Sequence, residues 1–194
     1  ITTSYERIHA TFSLAVLHQP VDTLRFELPD GFELTDVKSL LLAQWTLDES
    51  GPTRVLNVRL REPTTETVVI TLSAVRTPAP LEDWALPDLK PLDVLGEVVV
   101  VGLLLEDQLK LQTLRSEHLI PIDTGVLTTA LPDTVFEAER GAPALRPVAA
   151  FYAPTGSAGF DVRARFTRPA GRLQVTTNLL LTLGERELQI RGGL

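Results

Sequence analysis

From Val21 to Arg76 the apolar residues recur at almost every second position, and that spacing constrains the fold more than any other feature of the chain. Leu24, Phe26 and Leu28 alternate with Arg25 and Glu27. After the turn Pro29-Asp30-Gly31, Phe32 and Leu34 alternate with Glu33 and Thr35. Leu56, Val58 and Leu60 alternate with Asn57, Arg59 and Arg61, and Val68, Ile70 and Leu72 with Val69, Thr71 and Ser73. Successive side chains of a strand point to opposite faces, so a period of two describes half-buried sheet. Phe160, Val162, Ala164 and Phe166 repeat the pattern. So do Leu173, Val175, Thr177, Leu179 and Leu181 beyond the turn Pro169-Ala170-Gly171. Read this way the chain holds about a dozen strands at the spacing of a sandwich. The expectation is an all-β fold: a large, mostly antiparallel β-sandwich with few or no helices. A brief helix around Thr134–Arg140 is the one helical candidate.

Between Thr77 and Pro91 the alternation stops, and Pro78, Pro80, Pro87 and Pro91 surround Trp84. Such composition marks a crossing between sheets or a linker. The expected organisation is therefore one module over residues 1–194, or two sub-sheets or subdomains joined at 77–95. Glu97 to Leu105 is apolar on both faces, which reads as a central strand buried on two sides. Trp45, among leucines, reads as a core aromatic. Ile1-Thr2-Thr3-Ser4 is similar to Val175-Thr176-Thr177-Asn178, as if the last strands opened a second copy of the first unit in a tandem array.

The formal net charge of −7 argues against a nucleic-acid partner, since phosphate binding needs concentrated Lys and Arg. The longest apolar run, Val98 to Leu105, falls far short of the ~20 residues that span a bilayer, so no membrane insertion by this chain is expected. The chain has no Cys, which removes disulfides, thiol catalysis and thiolate metal sites. It also has no Met, and a native chain begins with one. Ile1 thus suggests a removed signal segment or an excised internal fragment.

Motifs for chemistry are sparse. His9, His18 and His118 share no ligand spacing and read as surface or loop residues, so no metal or cofactor is expected. Thr155-Gly156-Ser157-Ala158-Gly159 lacks the spacing of a nucleophile elbow and reads as a loop. Glu106-Asp107 and Asp48-Glu49 read as ordinary turn acids. Glu82-Asp83 beside Trp84 is the one candidate ligand contact, because an aromatic next to carboxylates suits sugars. No catalytic residue is assigned.

The run Leu24 to Val37, with Trp45 and Arg54-Val55-Leu56-Asn57-Val58 after it, resembles segments of very large, uncharacterised bacterial extracytoplasmic proteins built from many β-sandwich units in series. Phe151-Tyr152 and Phe160 to Phe166 are similar too. The resemblance implies a fold and a secreted, cell-surface or periplasmic location, and it carries over no site residues. The expected role is a non-enzymatic structural or binding module of a larger protein. Its expected partners are neighbouring domains, other proteins or glycans. The alternative is an accessory carbohydrate-binding domain using Glu82, Asp83 and Trp84. A third reading is an enzyme whose residues converge only in the fold.

Overall fold

The computed structural model describes residues 1–96, 98–131, 144–154, 159–169, 178–183 and 188–193. Over these residues the protein is all-β, with mostly antiparallel sheets and one short helix. The expected helix at Thr134–Arg140, the Ser157 loop and the turn at Ala170-Gly171 lie outside the described residues, as does the Val175–Asn178 repeat apart from Asn178.

The first six strands are β1 (Glu6–Ala15), β2 (Val21–Leu28), β3 (Glu33–Lys38), β4 (Leu42–Asp48), β5 (Arg54–Thr64) and β6 (Thr67–Arg76). They form two sheets, one ordered β1-β6-β3 and the other β4-β5-β2. Between the sheets lies a first hydrophobic core of Phe26, Leu28, Leu56, Val58 and Leu60 from one sheet and Val37, Val68, Ile70 and Leu72 from the other. Phe12 and Phe26 meet across it with ring centroids 4.8 Å apart. Each fully buried aliphatic or aromatic side chain here contributes about 1.5–3 kcal/mol. The β2–β3 turn needs Gly31, whose φ of 75° lies in the left-handed region that a side chain resists.

Next come β7 (Trp84–Ala85), β8 (Lys90–Pro91), β9 (Val99–Glu106), β10 (Lys110–Glu117), β11 (Ile120–Ile122), α1 (Gly125–Ala130), β12 (Leu145–Ala153) and β13 (Asp161–Thr167). Sheets ordered β10-β13-β7 and β11-β12-β9 enclose a second core. Leu103, Leu105, Ala149 and Phe151 face Trp84, Val162, Ala164 and Phe166 there. A last hairpin pairs β14 (Asn178–Leu183) with β15 (Leu188–Gly193).

The connection between the cores is not a single linker. Residue Ile1 packs on the second core, whereas β1 belongs to the first. After β6 the chain passes to β7 in the second unit and returns as β8, which pairs with β2 and extends that sheet to β4-β5-β2-β8. It then crosses once more to β9. The proline-rich stretch is thus a shuttle, and its irregularity follows from short segments that serve two sheets alternately.

Two local expectations change. Trp45 is 43% exposed, because β4 is an outer strand of its sheet and presents most of its residues to solvent. β9 is also an outer strand among the described residues, flanked by β12 on one edge only. Its two apolar faces have different covers. Leu103 and Leu105 enter the core, while Leu127 of α1 sits so close over Gly102 on the other face that a Cβ there would collide with it.

Candidate functional site: a polar clamp between the two cores

Among the described residues the buried polar or charged side chains are Thr2, Glu6 and Glu106, and all three lie where the chain passes between the cores. Glu6 opens β1 in phase with Ile8, Ala10 and Phe12, so its parity carries it inward at the end of the sheet. Arg76 closes β6 in phase with Ile70, Leu72 and Ala74, and the register places it opposite Glu6. The Arg76 guanidinium donates through Nε to Glu6 Oε2 at 2.7 Å and through Nη2 at 2.6 Å. It also lies 4.5 Å from the centroid of the Phe32 ring. The other oxygen, Glu6 Oε1, accepts the backbone N–H of Ala79 at 2.8 Å. Ala79 belongs to the crossing and packs on the second core. One carboxylate therefore joins the end of the first sandwich to the chain that enters the second.

Glu106 makes the reciprocal tie. It ends β9, is 3% exposed, and its Oε2 accepts Thr3 N–H at 2.6 Å and the Thr3 hydroxyl at 3.0 Å. Thr2 knits the same arm into a turn. Its hydroxyl donates to Tyr5 O at 2.8 Å and accepts the N–H groups of Ser4 and Tyr5 at 3.2 and 2.9 Å. The Ile1 amino group donates to Leu104 O at 2.8 Å, and Glu106 N–H donates to Ile1 O at 3.0 Å. Burial pushes the Ile1 amino group below its ordinary pKa, against the opposing pull of Glu6 and Glu106. Each of the two buried carboxylates has at least two donors in place of its lost water.

The expected ligand contacts part company. Trp84 is 2% exposed and stands edge-on to Phe166 at 5.6 Å, so its indole presents no open face to a sugar. Glu82 and Asp83 are exposed, and the Glu82 carbonyl accepts Arg165 Nε at 3.2 Å. Glu106 is no turn acid in solvent, whereas Asp48 is one. Asp48 accepts from Ser50 N–H and hydroxyl at 3.0 and 2.6 Å, which holds its carboxyl below the usual range.

His18 and His118 occupy exposed positions with positive φ. His9 is different: it sits half-buried on β1, its Nδ1 3.2 Å from Ser73 Oγ, and Nε2 has no partner among the described residues. Burial lowers the His9 pKa, and Arg7 and Lys38 lower it further against Asp36. No group of three or more His, Asp or Glu side chains suited to a metal ion occurs among the described residues. No helix there is long and apolar enough to cross a membrane.

The clamp is not legible in the sequence because its partners lie 70 to 103 residues apart. The parity of Glu6 and Arg76 was the available signal. No protein-family model, curated protein or solved structure matches the chain.

Proposed function

We propose that this chain is a non-enzymatic structural module, a rigid two-core spacer that holds neighbouring parts of a larger secreted or periplasmic protein at a fixed separation. The observation that carries the reading is the use of the buried polar groups. Protein interiors place charges where specific geometry is needed, and catalytic sites usually hold them in a cleft with perturbed pKa values. Here Thr2, Glu6 and Glu106 are bound to backbone and side-chain donors at the junction, leaving no buried carboxylate oriented toward a substrate among the described residues. Repeated passage of the chain between the cores supports the same role, since a hinge needs few connections and this junction has several. The likeness of Leu24–Val37 to serial β-sandwich units agrees with it. The sugar-binding alternative loses its platform with the burial of Trp84.

The test is a distance distribution. The protein has no Cys, so Asp22→Cys in the first unit and Arg115→Cys in the second give two unambiguous nitroxide sites, both on exposed strand positions. Pulsed electron–electron resonance on the labelled protein is expected to return one narrow peak. A broad or bimodal distribution in the otherwise unaltered protein refutes the spacer.

A further inference from the structure

Across the β4–β5 ladder Trp45 stands opposite Val58 and Leu47 opposite Leu56, and opposite residues share a face of the sheet. Val58 and Leu56 are fully buried, so Trp45 lies on the inward side of β4, yet it is 43% exposed. Parity does not leave it wet. Among the described residues no strand pairs with the far edge of β4, and the indole runs out at that open flank of the first core.

Other outer strands carry the charges or proline that deter pairing. β1 has Arg7 and His9, β3 has Glu33, Asp36 and Lys38, β10 has Lys110, Arg115 and Glu117, and β11 has Pro121 at its centre. β4 has neither from Leu42 to Leu47, and its bulge lies near its start, between Leu42 and Gln44. Gln44 to Asp48 is left as a regular, pairable edge.

The charges around this edge complement one another under a two-fold rotation. Asp48 closes β4, accepts hydrogen bonds from Ser50, and has no cation among the described residues. Arg59, opposite Gln44, is exposed and has no carboxylate among them. An antiparallel pairing of two β4 strands about Thr46 sets Asp48 of one copy opposite Gln44 of the other, in the same row as Arg59. Two strand spacings of about 4.8 Å then separate Asp48 from the strand of Arg59, a gap that an extended guanidinium spans. The same register lays Trp45 against Leu47 of the second copy on the inward side and Thr46 against Thr46 on the outer side, both favourable cross-strand pairs. The Trp45–Leu47 and Asp48–Arg59 contacts each occur twice, as an isologous interface requires.

We propose that this chain self-associates through β4: two copies pair their β4 strands antiparallel about Thr46 and continue one sheet from copy to copy. The open flank at Trp45 and the two unpaired charges are satisfied by the same contact. The assignment does not depend on the rigidity of the junction between the cores.

The experiment is sedimentation equilibrium of the whole chain between about 5 μM and about 1 mM, read beside tryptophan emission in a Trp84→Phe background. A reversible monomer–dimer equilibrium is expected with Kd on the order of 100 μM, and Trp45 emission moves to shorter wavelength as the dimer forms. Thr46→Lys, at an exposed position, sets two ammonium groups against each other at the axis. It is expected to weaken association at least about tenfold while leaving the urea midpoint unchanged. Arg59→Glu is expected to weaken association as well, and Asp48→Lys added to Arg59→Glu to restore it by exchanging the two charges. A chain that stays monomeric at about 1 mM overturns the proposal and leaves the edge to a different protein. A dimer that Thr46→Lys leaves intact, or one that forms without moving the Trp45 emission, overturns it too, because the contact then lies on another face.

Discussion

Replacing Glu6 by Ala isolates what the clamp contributes. The change removes a 2% exposed carboxylate from between Arg76 and the Ala79 N–H. Breaking a buried ion pair by deleting one partner costs about 3–5 kcal/mol, because the remaining charge is left without its counterpart. The Arg76 side chain retains 20% exposure and its place over Phe32, which sets the loss near the lower bound, about 3 kcal/mol. The orphaned Ala79 N–H adds about 1 kcal/mol. With an m-value of about 3 kcal/mol per molar urea, a total near 4 kcal/mol moves the midpoint down by about 1.3 M. Two tryptophans report the two units separately. Trp45 lies on the first sandwich and Trp84 in the second core, so Trp45→Phe and Trp84→Phe backgrounds assign the signal. In the parent the two midpoints are expected to coincide, and in Glu6→Ala to separate. Asp93→Asn, which suits the left-handed backbone at φ 62°, is the control: the pair with Arg25 has bonds of 2.8 Å yet is exposed on both sides, and its removal is expected to cost at most about 1 kcal/mol. Equal midpoint shifts for the two variants would show that burial of Glu6 confers nothing and would sink the clamp.

Three further outcomes follow from side chains on either side of the junction. Trp84 Nε1 is buried without a partner among the described residues, so Trp84→Phe sheds an unsatisfied donor and is expected to cost under about 1.5 kcal/mol by urea melt; Trp84→Ala opens a cavity worth about 3–5 kcal/mol. Gly102→Ala drives a methyl into Leu127 and is expected to cost about 1–3 kcal/mol, with Leu127→Ala abolishing most of the difference between the Gly and Ala forms in a double-mutant cycle. His9 has a folded-state pKa below its unfolded value, so its neutral form is favoured by folding. That contribution is fully present above pH 6.5 and is lost as pH falls through the lowered folded value. The His9→Gln variant is expected to flatten the stability profile in this window, and an unchanged profile would assign the acid sensitivity elsewhere.

Most strands of the first sandwich are legible because they have one dry and one wet face. Phe26, Leu56 and Ile70 are fully buried at the positions their alternation marked. Where a strand departs from that condition, local pattern loses its meaning. β9 is apolar on both faces although a sheet core covers only one; on the other, a helix covers Gly102 and leaves Val100 half exposed, and nothing in eight residues reveals that difference. Trp45 departs from its local pattern for the opposite reason: its leucine neighbours belong to an outer strand whose lateral neighbour no sequence window reveals. Trp84 looked like a binding aromatic in an irregular stretch, yet a two-residue strand against β13 is enough to bury it. The junction acids were the least legible. Glu106 sits in sequence like any acid at the end of a strand, and its burial depends on Thr3 arriving from the other end of the unit.

Why the junction uses charge at all leads to the last prediction. Hydrophobic contact is non-directional, so two sandwiches joined only by apolar surface can slide at little cost. A carboxylate that receives a guanidinium on one oxygen and a backbone N–H on the other has one satisfactory arrangement, and displacement leaves a buried polar group unmatched. Buried ion pairs contribute little net stability compared with well-packed apolar residues, and replacing both partners is often neutral or stabilising by about 1–4 kcal/mol. Even after about 1 kcal/mol for the orphaned Ala79 N–H, the double substitution Glu6→Met with Arg76→Leu is therefore expected to leave the urea midpoint unchanged or raised. The same protein, labelled at the Asp22→Cys and Arg115→Cys positions, is expected to give a broader distance distribution than the parent. Stability and orientation then move in opposite directions, which cavity formation or general loosening would not produce. If the double variant keeps the narrow peak, orientation is set by the repeated chain crossings alone, and the charges at Glu6 and Arg76 need another explanation.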